Sequence, residues 1–155
     1  MMSNECEYQA RPSMYGEITL CFDTDFDMNE ITRILGVTPD SFARQSEMRI
    51  NPFTGERNPG FWEYRTQTVF AYDSDFVLNE MHMFLTEHIE ALLRIKEEYP
   101  CDVILRLYTD SGTEADAPAI WLSKAIIKTL AILNADVDIT VTIERAVEEY
   151  NPEHG

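Results

Sequence analysis

Apolar and polar residues alternate from Gly16, with Ile18, Leu20 and Phe22 on one face and Thr19 and Cys21 on the other. That two-residue period predicts a half-buried strand. After an Asp-rich segment, Met28, Ile31, Ile34 and Leu35 recur at helical spacing. Asp27 and Glu30 have capping-box spacing, Gly36 stands at the usual terminator position, and Pro39 prevents the helix from resuming. Residues 51–60 are dense in Asn, Pro and Gly and predict a loop or long hairpin tip, fed by a short strand over 45–50. Trp62, Tyr64 and Thr66 alternate with Glu63 and Arg65, predicting a strand within 61–72.

The second half repeats this alternation of periods. Leu78, Met81, Leu85, His88/Ile89, Leu92 and Ile95 keep a three-four rhythm, which predicts one long helix over 73–98, stopped by Pro100. Val103, Leu105 and Leu107 mark a strand over 101–108. Asp110-Ser111-Gly112 reads as a hairpin turn with a short return strand at 118–121. Ser123 caps a helix carrying Ile126, Ile127, Leu130, Ala131 and Leu133, with Asn134 as its left-handed terminator. A last strand over 136–143 places Val137, Ile139, Val141 and Ile143 inward.

The order is βα followed by the βαββαβ of a ferredoxin-like sandwich. It predicts an α+β domain with a mostly antiparallel sheet of about five strands and three helices on one face. The expected organisation is a flexible arm at 1–15, one domain at 16–143 and an acidic tail at 144–155. Phe22 to Leu35 (FDTDFDMNEITRIL) aligns without a gap with Tyr72 to Leu85 (YDSDFVLNEMHMFL), so two strand–turn–helix units are expected to be built alike.

Charge changes the picture. The chain has 155 residues, 12 Lys and Arg against 28 Asp and Glu, and a net charge of −16. Such a field repels phosphate backbones and anionic lipid, and attracts a basic protein. Three cysteines (Cys6, Cys21, Cys101) with no CxxC spacing suit a reducing compartment. With neither an apolar leader nor a spanning run, the expected location is the cytoplasm.

Candidate chemistry is sparse. Asp23, Asp25 and Asp27 begin like a calcium loop, but Met28 and Ile34 occupy the positions that need Gly and Glu, so helix capping explains them better. His82 and His88 are six apart, off the spacing of paired ligands; His82 is expected outward and His88 on the apolar seam. No nucleophile motif, phosphate loop or metal motif occurs, so no catalytic residue, metal or cofactor is assigned. Between Arg33 and Arg65, five arginines meet only four acids. Arg44, Arg49, Arg57 and Arg65, with Phe53 and Trp62, form the candidate binding set, because Arg and aromatics anchor interfaces. The plainer alternative is that these arginines offset the domain's own acids.

The run Asn29-Glu30-Ile31-Thr32-Arg33-Ile34-Leu35-Gly36-Val37-Thr38-Pro39, then Phe61-Trp62-Glu63-Tyr64, a long helix, an aliphatic strand, and Leu122-Ser123 through Asp138-Ile139 recur in this order. Over residues 16–143 the chain resembles the bacterial domain of unknown function DUF4279. It departs from the pattern in its long 44–60 segment and in Asn134, where Gly is usual. The resemblance implies a compact α+β domain occurring as a small bacterial protein, and it supplies no activity, cofactor or site. Three functions stand as expectations. The first is a non-enzymatic binding protein, of immunity or antitoxin type, whose acidic surface meets a basic partner. The others are a sensor or enzyme gripping a small anion with the 44–65 arginines, and an oligomerisation module.

Overall fold

The computed structural model describes residues 11–25, 27–112 and 117–143. Its elements are β1 (Ser13–Phe22), α1 (Met28–Leu35), β2 (Ser41–Ala43), a single 3-10 turn (Gln45–Glu47), β3 (Gly60–Arg65), β4 (Val69–Phe70), α2 (Asp75–Glu87), α3 (Ile89–Glu98), β5 (Cys101–Ser111), α4 (Lys124–Ile132) and β6 (Asp136–Ile143). The chain is an α+β domain whose mixed six-stranded sheet runs β2-β3-β1-β5-β6, with β4 pairing the start of β1. Among the described residues, every pairing of these strands is antiparallel except β5 with β6.

β1 is the centre of the sheet, paired with β3 along one edge and with β5 along the whole of the other. Met14, Ile18, Leu20 and Phe22 bury on the helix side with Val103, Leu105 and Leu107 of β5 and Trp62 of β3. Burial of such side chains contributes about 1.5–3 kcal/mol each. At Gly16 an added Cβ would lie 1.7 Å from Met81 Sδ, so the missing side chain is what lets α2 press onto β1.

Local chemistry explains where elements begin and stop. Asp27 Oδ1 accepts the Asn29 amide as the cap of α1, while Glu30 turns away to pair with Arg33, leaving the capping box half made. Gly36 closes α1 in the left-handed region, and Asn134 takes φ 48° after α4. Ser123 Oγ accepts the Ile126 amide and opens α4.

Several expectations are corrected. The single helix over 73–98 is two helices hinged at His88 (φ −113°, ψ 14°). The His88 N–H still reaches Phe84 O and its carbonyl still accepts from Leu92, so the hydrogen-bonded path bends without opening. The strand within 61–72 breaks at Thr66, whose hydroxyl accepts the Gly16 amide in place of a ladder carbonyl. The expected strand over 45–50 is the 3-10 turn followed by a lone bridge between Ile50 and Arg57.

The hairpin at 110–112 is absent. Asp110 and Ser111 continue β5 because Ser13 and Ile143 still pair with it, and 118–121 contributes only a bridge from Ala119 to Asp73. Without a return strand, one helical crossover joins β5 to β6, and a crossover brings the chain back parallel. β6 is then an edge strand. Its row Val137, Ile139, Val141 and Ile143, expected inward, stays 39–59 % exposed, because α4 packs beside α2 instead of over it.

Of the expected arm at 1–15, residues 13–15 belong to β1. The acidic tail at 144–155 and Cys6 lie outside the described residues.

Candidate functional site

The face of the sheet away from the helices carries a ladder of charge. By register, Arg65 of β3 stands opposite Glu17 of β1, Glu17 opposite Arg106 of β5, and Arg106 opposite Asp138 of β6. Opposite charges directly across strands attract, so the alternation supports the pairing it decorates. Glu17 is only 3 % exposed, and its Oε1 accepts Arg65 Nε at 2.9 Å and Nη2 at 2.5 Å. The same guanidinium lies 4.8 Å over the Tyr15 ring, which in turn stacks on Tyr108 at 4.9 Å. Removing Arg65 would leave the enclosed carboxylate with only Arg106 across β1 to offset it; because Arg65 itself is 46 % exposed, the loss falls below that of a fully enclosed pair.

Over this face folds the 44–60 segment, an arm held by its own polar groups. Arg57 Nη1 donates to the carbonyls of Ser46 and Met48 at 3.3 and 3.0 Å. Asn51 Oδ1 accepts the Phe53 amide, and Gly55 turns the tip at φ 72°. At its root the Asp25 carboxylate accepts the Ser46 amide at 2.9 Å, a bond that holds its pKa below the usual range. Gly60 leaves no room for a side chain: a Cβ there would lie 2.7 Å from Gln45 N and 2.8 Å from Ala43 O.

Between arm and sheet lies a cleft of about 340 Å³. Met48, Asn58 and Pro59 form its roof, and Thr19, Cys21, Phe61, Glu63 and Arg106 its floor. Burial, and then the Glu17 carboxylate, push Glu63 above its usual range. Burial also raises the Cys21 thiol, and takes Cys101 on the opposite face to about 11, so both stay protonated at neutral pH.

A second surface lies on α2. Phe76, Glu80, Met83 and Glu87 share one stripe of that helix, with Phe76 and Met83 58 % and 60 % exposed. No Lys or Arg occurs in α2. Tyr64 and Phe84, stacked at 4.2 Å, form the inner wall of a shallow groove beside this stripe.

The residues singled out from sequence do not converge. Arg44, Arg49, Arg57 and Phe53 all lie on the arm. Arg44 sits beside Glu47, Arg57 staples the arm to itself, Arg49 faces solvent, and Phe53 at the tip is 95 % exposed. Arg65 is on the polar sheet face, engaged by Glu17. Trp62 points the other way into the core, fully buried, its indole N–H donating to Thr32 Oγ1 at 3.1 Å. His82, expected outward, bridges to α4 through Thr129 Oγ1 at 3.0 Å. That hydroxyl already donates to Ala125 O, so His82 Nε2 carries the proton in this contact. His88 packs on Phe84 at 4.5 Å. Asp25 and Asp27 serve the arm and the α1 cap.

Thr19, Glu63 and Arg106, which the candidate set omitted, are the polar groups that meet on the floor of the cleft, beneath Asn58 of the arm. The signal was Arg106 between Leu105 and Leu107, a long cation at the centre of an apolar strand. Knowing its partners requires the order of strands.

No curated protein and no solved structure matches the chain significantly. A family model, described as domain of unknown function (DUF4279), matches residues 14–144, nearly the whole of the described fold. The chain therefore belongs to the DUF4279 family.

Proposed function

We propose that this protein is a non-enzymatic protein-binding domain that takes a basic, amphipathic segment of its partner on the outer stripe of α2. One observation carries this: Phe76 and Met83 stand exposed on a stripe whose only charges, Glu80 and Glu87, are negative. Aromatic and Met side chains are typical interface anchors, and a methionine adapts its shape to what docks on it. The carboxylates between them favour Lys or Arg at matching spacing and disfavour acidic competitors. The net charge of −16 adds long-range attraction to the same class of partner and repels phosphate backbones and anionic lipid. No helix among the described residues is long and apolar enough to cross a membrane. An immunity- or antitoxin-like role in the cytoplasm fits these properties, since neutralising a basic protein needs a fast, charge-steered encounter and no chemistry.

The test is affinity capture from a lysate of the source organism at low and high salt, with the wild-type chain beside Met83→Asp and Glu80→Lys/Glu87→Lys variants. A basic protein is expected to bind the wild type at low salt, to leave at high salt, and to bind the variants at least about tenfold more weakly. Equal retention by the charge-reversed variant, or retention of nothing basic, overturns the proposal.

A further inference from the structure

The cleft under the arm joins an apolar wall, built from Met48 and Phe61, to a polar floor of Thr19, Glu63 and Arg106. Two of those groups carry an enclosed polar atom with no hydrogen-bond partner among the described residues. Thr19 is 1 % exposed and its Oγ1 makes no hydrogen bond among the described residues. Arg106 Nε is enclosed in the same way; Asp138 Oδ2 stands 3.6 Å away, close enough to offset charge but too far to accept a hydrogen bond. Buried polar groups are nearly always paired, so two orphans on the floor of one cleft call for an explanation.

The charges restrict the occupant. Glu63 lies opposite Thr19 and Arg106 lies opposite Glu17, so the carboxylate and the guanidinium stand diagonally on either side of β1. Strands are roughly 4.8 Å apart, which sets these two backbones about 10–12 Å apart with both side chains lining the space over Thr19. An anion with no positive group would meet Glu63, and a plain amine would meet Arg106. A molecule carrying both signs, set in the same order, meets neither conflict. The volume of about 340 Å³ is at the small end of ligand sites.

We propose that this cleft binds a free α-amino acid with an apolar side chain, its carboxylate on Arg106 and Thr19, its ammonium on Glu63, and its side chain against Met48 and Phe61. Guanidinium and carboxylate form charge-assisted bonds of the stronger kind, and the Thr19 hydroxyl gains the partner it lacks. The arm, held by its own hydrogen bonds, already stands over the floor, and a preformed roof reduces the ordering that binding costs.

The test is calorimetry and amide NMR on the full chain with leucine, valine, methionine and phenylalanine, together with isocaproate, which lacks the ammonium, and isoamylamine, which lacks the carboxylate. At least one amino acid is expected to shift the Thr19 and Arg106 amides, and the two single-charge analogues to bind about tenfold more weakly or worse. Thr19→Val should raise the thermal midpoint while weakening the amino acid about tenfold, opposite signs that a purely structural threonine would not show. Arg106→Gln should abolish binding. Met83→Asp on α2 should leave it unchanged, which separates this site from the protein-docking stripe. The proposal is overturned if no amino acid shifts those amides, if isocaproate binds as well as leucine, or if Thr19→Val binds like the wild type.

Discussion

A carboxylate on a partly covered sheet face has water on one side and other charges on the other, and Glu63 shows what that costs. Its pKa is raised by burial and by the Glu17 carboxylate, so the folded protein holds this proton more tightly than the unfolded chain does. The corresponding stability is complete below the ordinary value of 4.5 and is lost as pH rises through the folded value. At neutral pH the ionised Glu63 therefore opposes folding. Glu63→Gln is expected to raise the thermal midpoint at pH 7, by an amount under about 1 kcal/mol because solvent screens a group this open. At pH 4 and below the two proteins should unfold together. A lower midpoint for the variant at pH 7 would mean that attraction to Arg65 and Arg106 outweighs the burial and the Glu17 repulsion. A residue that weakens the fold where a ligand could use it fits the usual exchange of stability for function. The phase of Thr19 and Glu63 was legible in the alternation of their strands. Their burial was not, since the cover comes from an arm roughly 30 residues away from Thr19 that leads into β3 and folds back over it.

At the scale of elements, the arm and the repeat show how one signal supports different outcomes. In the two aligned segments Met28, Ile31 and Leu35 bury as Leu78, Met81 and Leu85 do, so the shared apolar spacing was a true packing signal. The caps differ. Asp27 caps α1 directly before Met28, whereas α2 begins three positions earlier in the alignment, with Asp73 Oδ1 accepting the Asp75 amide. Side-chain burial is fixed by the core, while a helix start is decided by whichever nearby acceptor reaches an open N–H. At Gly60 the arm crosses its own root closely. Gly60→Ala, with backbone atoms within 2.8 Å of the new Cβ, is expected to cost about 2 kcal/mol. It should also speed hydrogen exchange at Asn51, Gly55 and Asn58, whose amides hold the hairpin. Unchanged exchange there would show that the arm does not depend on this crossing.

For the whole molecule the governing quantity is the charge of −16. The ion pairs seen here are few and mostly at the surface, where each contributes about 0–1 kcal/mol, so they do not cancel the mutual repulsion of so many carboxylates. Sodium chloride shortens the range of that repulsion to about 3 Å at 1 M. Raising it from about 0.01 to 0.5 M should therefore increase the thermal midpoint by a few degrees, about 1 kcal/mol for a domain of this size. A midpoint that falls with salt would show that attraction within the charge ladder, not repulsion across the surface, dominates.

Periodicity, capping residues and composition determined by themselves that this is an α+β domain, where its main helices and its long strands lie, which face of each is apolar, and that the chain is acidic. These follow from interactions between residues a few positions apart, or from sums over the chain. Tertiary structure alone decided that β5 and β6 run parallel, that β6 keeps its apolar row in the open, that Trp62 lies in the core, and that Thr19, Glu63 and Arg106 share one cleft. Those facts depend on which strands become neighbours and on what folds over them. Contacts between residues tens of positions apart select that arrangement by the burial of the whole core, and no local pattern encodes it.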